Sequence, residues 1–350
     1  MQKRKRLNKK GKMFLFLIVL FVVGVVAIYL NNNSKLKTKD DGETISSEPK
    51  IVEKLKILDL DSNTRPYAVM INNISTVWGY QCGLQDAYIV YEIIVEGGYT
   101  RLMALFKDKS LDRIGSVRSS RHYFLDYALE NDAIYVHFGW SPQAQEDISN
   151  LGVNNINFMS YSGYTRDYSL GLATEHTAFT TTQDIMKGAD YYGYRKTTND
   201  KSLLNYSVQS LDLSSMEGST IANKIDIVYS PSRSTSFEYD PDNKVYKRYQ
   251  NNLVHKDYVT GLQYTAKNII TYQVDNYSIG SDSKGRQTLD NIGSGTGWYI
   301  SEGYAVPITW EKTSRSSKTK YKYLNGTEIK VNDGNTYIQI QPSGKDLTIE

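Results

Sequence analysis

The chain has 350 residues, 41 Lys and Arg against 38 Asp and Glu, and a single cysteine. Seven of the cations (Lys3, Arg4, Lys5, Arg6, Lys9, Lys10, Lys12) crowd the first twelve residues, which leaves 34 bases against 38 acids for the rest. That balance excludes a broad basic face for nucleic acid, and one cysteine excludes an internal disulfide framework or a cysteine-based zinc cluster.

The run "MFLFLIVLFVVGVVAIYL", from Met13 to Leu30, carries no charge over eighteen residues. It is long enough for a helix across a bilayer core and longer than a secretory h-region. No small-x-small cleavage site follows it, and Cys82 lies too far downstream to take a lipid. The run therefore reads as an uncleaved signal anchor: a transmembrane helix over 13–30, a basic flank over 1–12 kept in the cytoplasm, and all later residues outside. The expected location is the cell membrane, with a single pass and the membrane itself as a partner. An extracytoplasmic chain without disulfides points to a Gram-positive envelope. Residues 31–60 are polar and mixed in charge, as in a flexible spacer.

Beyond the spacer the length suits two domains, 61–205 and 220–350, divided where "KTTNDKSLLNYSVQSLDLSSMEGSTIANK" loses periodicity. The first mixes both element types. Strands are predicted at 67–72, 87–95, 101–106 and 133–138, from β-branched and aromatic runs. Helices are predicted at 117–129, at 141–152 behind a Ser141 cap with Pro142 at the first position, and at 181–193. The second domain alternates like antiparallel strands, with Asn325-Gly326 as a hairpin signal. Together these predict an α+β or α/β fold: a mixed-sheet first domain with flanking helices, a smaller and mainly antiparallel β domain, and the N-terminal transmembrane helix. The 29 tyrosines read as strand formers rather than a glycan platform.

One polar cluster stands out. "YEIIVEGGYTRL" (91–102) reads as a hairpin turning at Gly97-Gly98, and a two-residue turn puts Glu92, Glu96 and Arg101 on one face. Glu92 lies in a nearly continuous apolar run, so it is sheltered and needs a partner. In "IGSVRSSRHYF" (114–124), Arg118 and Arg121 fall in the first turn of the expected helix, where the dipole disfavours cations. Two readings follow. The arginines pair with Glu92 and Glu96 as a structural network, or they stay open in a cleft and bind an anion. His137 ends a strand just before the Ser141 cap, and His176 is a further candidate for the cleft rim. No metal site is expected, since the histidines show no ligand spacing, and no cofactor motif is present.

At these residues the chain resembles the YerB-like lipoprotein family, the bacterial domain of unknown function 3048. The resemblance rests on "YEIIVEGGYTRLMALF", "IGSVRSSRHYF", "YVHFGWSPQA", "EHTAFTT", "NNLVHKDYVTGLQYTAKNIITYQV" and "NIGSGTGWYISEGYAVPITWEKT". It implies an α/β first domain, a smaller β-rich second domain and attachment to the outer membrane face. It implies no established reaction. The family pattern falls on Glu92, Glu96, Thr100, Arg101, Arg118, Arg121, His137, Ser141, Pro142 and His176. This chain departs from it at Tyr80, Ser116 and Glu175-His176-Thr177.

Two functions fit this pattern. One is a non-catalytic envelope module that binds or scaffolds a wall polymer, peptide or partner protein. The alternative is a cell-wall glycan hydrolase or transglycosylase-like enzyme, with Glu92 and Glu96 as acid and base.

Overall fold

The computed structural model describes residues 54–280 and 282–350. The anchor expected at 13–30 and most of the spacer expected at 31–60 lie outside the described residues. Among the described residues no helix is long and apolar enough to cross a membrane.

The apolar runs of the first segment form the strands Tyr67–Asn73, Ile89–Ile94, Thr100–Phe106 and Ile134–His137, every residue of them buried. Burial on both faces explains why these runs do not alternate. They belong to one mixed sheet of eleven strands that continues into the second segment. The join is Thr336–Pro342, which lies parallel to Ile89–Ile94 on one side and to Asn268–Val274 on the other. Gly293–Ser301 and Tyr304–Lys312 extend the sheet beyond Asn268–Val274. The segments expected as domains at 61–205 and 220–350 thus share a single sheet, and Glu53–Glu350 is one compact unit. The architecture is α+β, rich in strands and poor in helices.

A second sheet of six strands is antiparallel, with Arg233–Asp240 paired to both Lys224–Ser230 and Val245–Gln250. It covers the face of the large sheet from which Glu92 projects, since Arg233 and Arg248 both reach that carboxylate. The opposite face carries the helix His122–Glu130, where Tyr91 Oη donates to Glu130 (2.7 Å). Two further helices, Pro142–Asn150 and Thr182–Tyr191, start where predicted. Ser141 Oγ accepts from Ala144 N (3.2 Å) and Thr181 Oγ1 from Asp184 N (3.0 Å), satisfying amides that have no intrahelical acceptor.

Two expectations need correction. The helix predicted from Val117 begins only at His122, with Arg121 as its extended N-cap (φ −125°). Residues 117–120 run along the sheet instead. Arg118 N donates to Met70 O (2.9 Å), Val117 N to Ala178 O (2.8 Å) and Ser120 N to Gly139 O (2.9 Å). Tertiary backbone pairing overrides the three-and-four spacing there. The hairpin also turns differently. Glu96-Gly97-Gly98 forms a three-residue turn closed by Val95 N to Tyr99 O (2.7 Å), with both glycines at positive φ. One extra residue shifts the register, so Arg101 faces Ile93 and Glu92 faces Leu102. Glu92 and Arg101 therefore point to opposite faces of the sheet.

Gly98 has a second constraint, because a Cβ there would lie 2.9 Å from Ser230 Oγ, the group that donates to Gly98 O. Gly98→Ala is expected to destabilise the protein by about 1–3 kcal/mol through the left-handed backbone and this clash. Urea titration would measure it, and a change under half a kcal/mol would refute the constraint.

Candidate functional site

Glu92 is fully buried between the two sheets. Oε1 accepts from Arg233 Nη2 (2.7 Å), Thr100 Oγ1 (2.8 Å) and Asn73 Nδ2 (3.1 Å), while Oε2 accepts from Arg248 Nη2 (2.7 Å). Thr235 Oγ1 lies 3.0 Å from both oxygens. Burial pushes this carboxyl up, but Arg248 and Arg233 outweigh it and hold it down to about 2. The sheltered carboxylate has the arginine partners it needed, though not the expected ones: both come from the second segment. Behind them, His255 bridges Arg248 and Gln81, and burial keeps its pKa well below the usual histidine range.

This pairing is one of four that join the segments with the same polarity, the longest being Asp200 with Lys318 (3.7 Å). Glu130 accepts from Lys312 Nζ (2.8 Å) and Thr319 Oγ1 (2.6 Å), and Asp126 and Asp147 both accept from Arg315 (2.6 and 2.8 Å). In each case the first segment supplies the acid and the second supplies the base.

Glu96 does meet the predicted arginines. Its carboxylate takes a two-pronged contact from Arg121, with Nε to Oε2 at 2.8 Å, and a longer one from Arg101 Nη2 (3.3 Å). Partial burial pushes Glu96 up, and the Arg121 hydrogen bonds with the charge of Arg101 bring it down to about 2. Arg101 is itself lowered to about 9 by burial and the neighbouring Arg121, and its Nη1 donates to Ser119 O (2.6 Å). Glu96 thus sits at the helix start beside the cation the dipole disfavours, which resolves the apparent conflict.

Arg118 behaves differently. Its guanidinium donates to the backbone carbonyl of Glu175 (3.0 Å), and among the described residues it forms no ion pair within 4 Å. It lines an open cleft of about 450 Å³ with Ser119, Phe138, Trp140, Met159, Arg166 and Glu175. Arg166 lies over the Phe138 ring (4.8 Å to its centre) and donates to Thr174 O. The cleft therefore offers two guanidinia, an aromatic wall and one rim carboxylate, Glu175. Sequence reasoning found Arg118 but missed Arg166, which stands alone in "YTRDYS" without a periodic signal.

The other predicted residues are placed less openly. His137 was expected at the rim and is instead fully buried, its ring held by Gly139 O (2.8 Å) and Asn155 Oδ1 (3.0 Å). Burial lowers its pKa to about 4. It ends the strand that lies beside the edge strand Asn155–Asn157, and the aromatic rings of Tyr135 and Trp140 pack against it. Ser141 is a helix cap at the edge of a second cleft of about 350 Å³, which Arg121 and His122 also line. His176 lies with its Nδ1 3.0 Å from Asn72 Nδ2, next to Glu175. Among the described residues no group of three or more His, Cys, Asp or Glu side chains is placed to hold a metal ion.

A shared sheet, acid–base pairs across its seam and a charged cleft define a two-segment α+β protein. The chain belongs to the family described as "Protein of unknown function (DUF3048)": the profile of its N-terminal domain matches residues 56–195 and that of its C-terminal domain residues 225–338. It is 27% identical over 276 residues to the "Putative lipoprotein YerB" of Bacillus subtilis (strain 168), covering 77% of this chain and 76% of that protein. The crystal structure of the YerB protein from Bacillus subtilis superposes with a TM-score of 0.71 at 24% identity, covering 84% of this chain and 99% of that one. That likeness concerns the fold.

Proposed function

We propose that the chain is a membrane-anchored, extracytoplasmic binding module that captures an anionic group of a wall polymer or peptide in the Arg118–Arg166 cleft. The apolar run from Met13 to Leu30 and the lipoprotein description of the Bacillus relative support the location. The observation that carries the binding role is the pair of guanidinia that face one open cleft and whose hydrogen-bond partners, among the described residues, are backbone carbonyls and a threonine hydroxyl. Each keeps donors for a ligand carboxylate or phosphate, and Phe138 and Trp140 offer a surface for the group that bears it. The glycan-hydrolase alternative needs one carboxyl kept protonated to act as acid. Glu92 and Glu96 are both held down to about 2, and Glu92 is sealed from solvent.

Arg118→Ala and Arg166→Ala are each expected to weaken co-sedimentation with purified peptidoglycan sacculi about tenfold, the loss of one charged hydrogen-bonding partner. Thermal stability should hardly move, since both side chains lie at the surface of the cleft. Wild-type protein that does not sediment with sacculi, or variants that sediment equally well, would refute the reading. Soluble fragments released during the same incubation and detected by mass spectrometry would favour the hydrolase instead.

A further inference from the structure

The stretch Leu253–Leu262, "LVHKDYVTGL", inverts the usual order of a surface loop, with its polar groups turned in and its apolar groups turned out. It follows a tight turn in which Asn251 and Asn252 both have positive φ, pairing Gln250 with Leu253. His255 is buried against Arg248 and Gln81. Asp257 is buried as well, accepting from Gly83 N (2.8 Å), Val259 N (2.9 Å), Thr260 N (2.9 Å) and Tyr264 Oη (2.9 Å). Tyr258 N donates to Gln81 O (2.8 Å). The loop is thus built rigidly onto the core through its polar side chains. Outside, Leu253, Val259 and Leu262 keep 63%, 62% and 70% of their surface exposed, with Val254 and Tyr258 also exposed beside them. A rigid loop presenting five large apolar side chains to water needs a reason.

We infer that this loop is a second membrane contact, seated in the interfacial layer of the bilayer that carries the chain. The inference rests on the membrane anchoring proposed above. Three observations select the bilayer as occupant. A second turn, closed by Asp257 N to Leu262 O (2.9 Å), holds exposed Val259 and Leu262, and a Cβ on its Gly261 would meet nothing within 4 Å, a shape suited to insertion rather than to receiving a ligand. Tyr258 packs on Tyr80 (5.5 Å between rings), and exposed Lys256 lies between Val254 and Tyr258 in the chain. Tyrosine and lysine are the residues that settle at the headgroup level, the lysine by extending its ammonium back to the phosphates. Finally, residues 31–53 could span at most about 80 Å even fully extended, so the tether keeps the bilayer at high effective concentration for any apolar surface on the folded part.

Cys82 is buried and its thiol is pushed up to about 12 by burial, so an introduced surface cysteine takes an environment-sensitive fluorophore selectively. The full chain would be reconstituted in phosphatidylcholine–phosphatidylglycerol vesicles with the label on Val259→Cys or, as a control, on Ser316→Cys, whose native serine is exposed. The Val259 label should shift to the blue, brighten several-fold and be quenched by spin-labelled lipid, while the Ser316 label does none of these. If the chain floats with vesicles but the Val259 label stays in water, the loop inference fails and the anchor stands. If the chain does not float with vesicles, both fail. A blue shift that resists lipid quenching and grows with the protein-to-lipid ratio also overturns the inference, because it marks contact between copies of the chain.

Discussion

Glu92→Gln is expected to cost about 3–5 kcal/mol of stability. The glutamine keeps the size and much of the hydrogen bonding but removes the negative charge that two fully buried guanidinia share. Arg233 and Arg248 would then face each other uncompensated in a site closed to water, with Arg233 Nη1 and Arg248 Nε already lacking partners. Urea denaturation followed by tyrosine fluorescence would read the loss, and a change below about 1 kcal/mol would contradict the assignment of Glu92 as the charge that holds the seam. The triple change Glu92→Leu, Arg233→Met, Arg248→Met should recover most of it, because removing all the charges also removes their desolvation. A catalytic Glu92 would lose function in the triple variant without this recovery meaning anything for activity, so sacculus binding by the triple variant separates the two roles.

Acid is expected to weaken the fold in two stages. His122 and His137 are held neutral to about pH 4 by burial, and His255 is shifted the same way, whereas unfolded histidines protonate near about 6.5. Between those values the unfolded chain binds protons that the folded chain refuses, so stability is complete above about pH 6.5 and falls as the pH drops toward 4, by about 1.4 kcal/mol per pH unit for each histidine. The second stage belongs to Glu92 and Glu96, whose folded values are depressed from the ordinary 4.5 to about 2. Their contribution is present above pH 4.5 and disappears as the pH falls through 2. Urea midpoints measured from pH 7.5 to 3.5 should decline first between 6.5 and 4. A flat profile from pH 7 to 5 would show that the buried histidines are protonated in the folded state.

Much of the first segment was legible because its strands are buried on both faces and its later helices carry caps. Ser141-Pro142 and Thr181 mark helix starts by local hydrogen bonding alone, which no distant contact alters. The false start at Val117 has the opposite cause: the backbone there bonds to Met70, Ala178 and Gly139, partners invisible to local spacing. The strands Arg233–Asp240 and Gly293–Ser301 escaped notice because Ser, Thr and Gly dominate them, and their strand character comes from pairing on both sides. The need of Glu92 for a cation could be read from its apolar surroundings, but the identity of that cation could not. A usable trace existed for Arg248, since it shares the inward face of Val245–Gln250 with Tyr246 and Gln250. Arg166 left no such trace, because its place in the cleft depends on where a loop crosses Phe138.

The strand Thr336–Pro342 gives the molecule a timetable. It lies in the middle of the large sheet, yet ribosomes make it after every strand it joins. Until it arrives, Ile89–Ile94 and Asn268–Val274 each have an open edge where it will pair. The large sheet is therefore closed only by residues near the end of the chain, and the two segments become one sheet when residue 342 has been made.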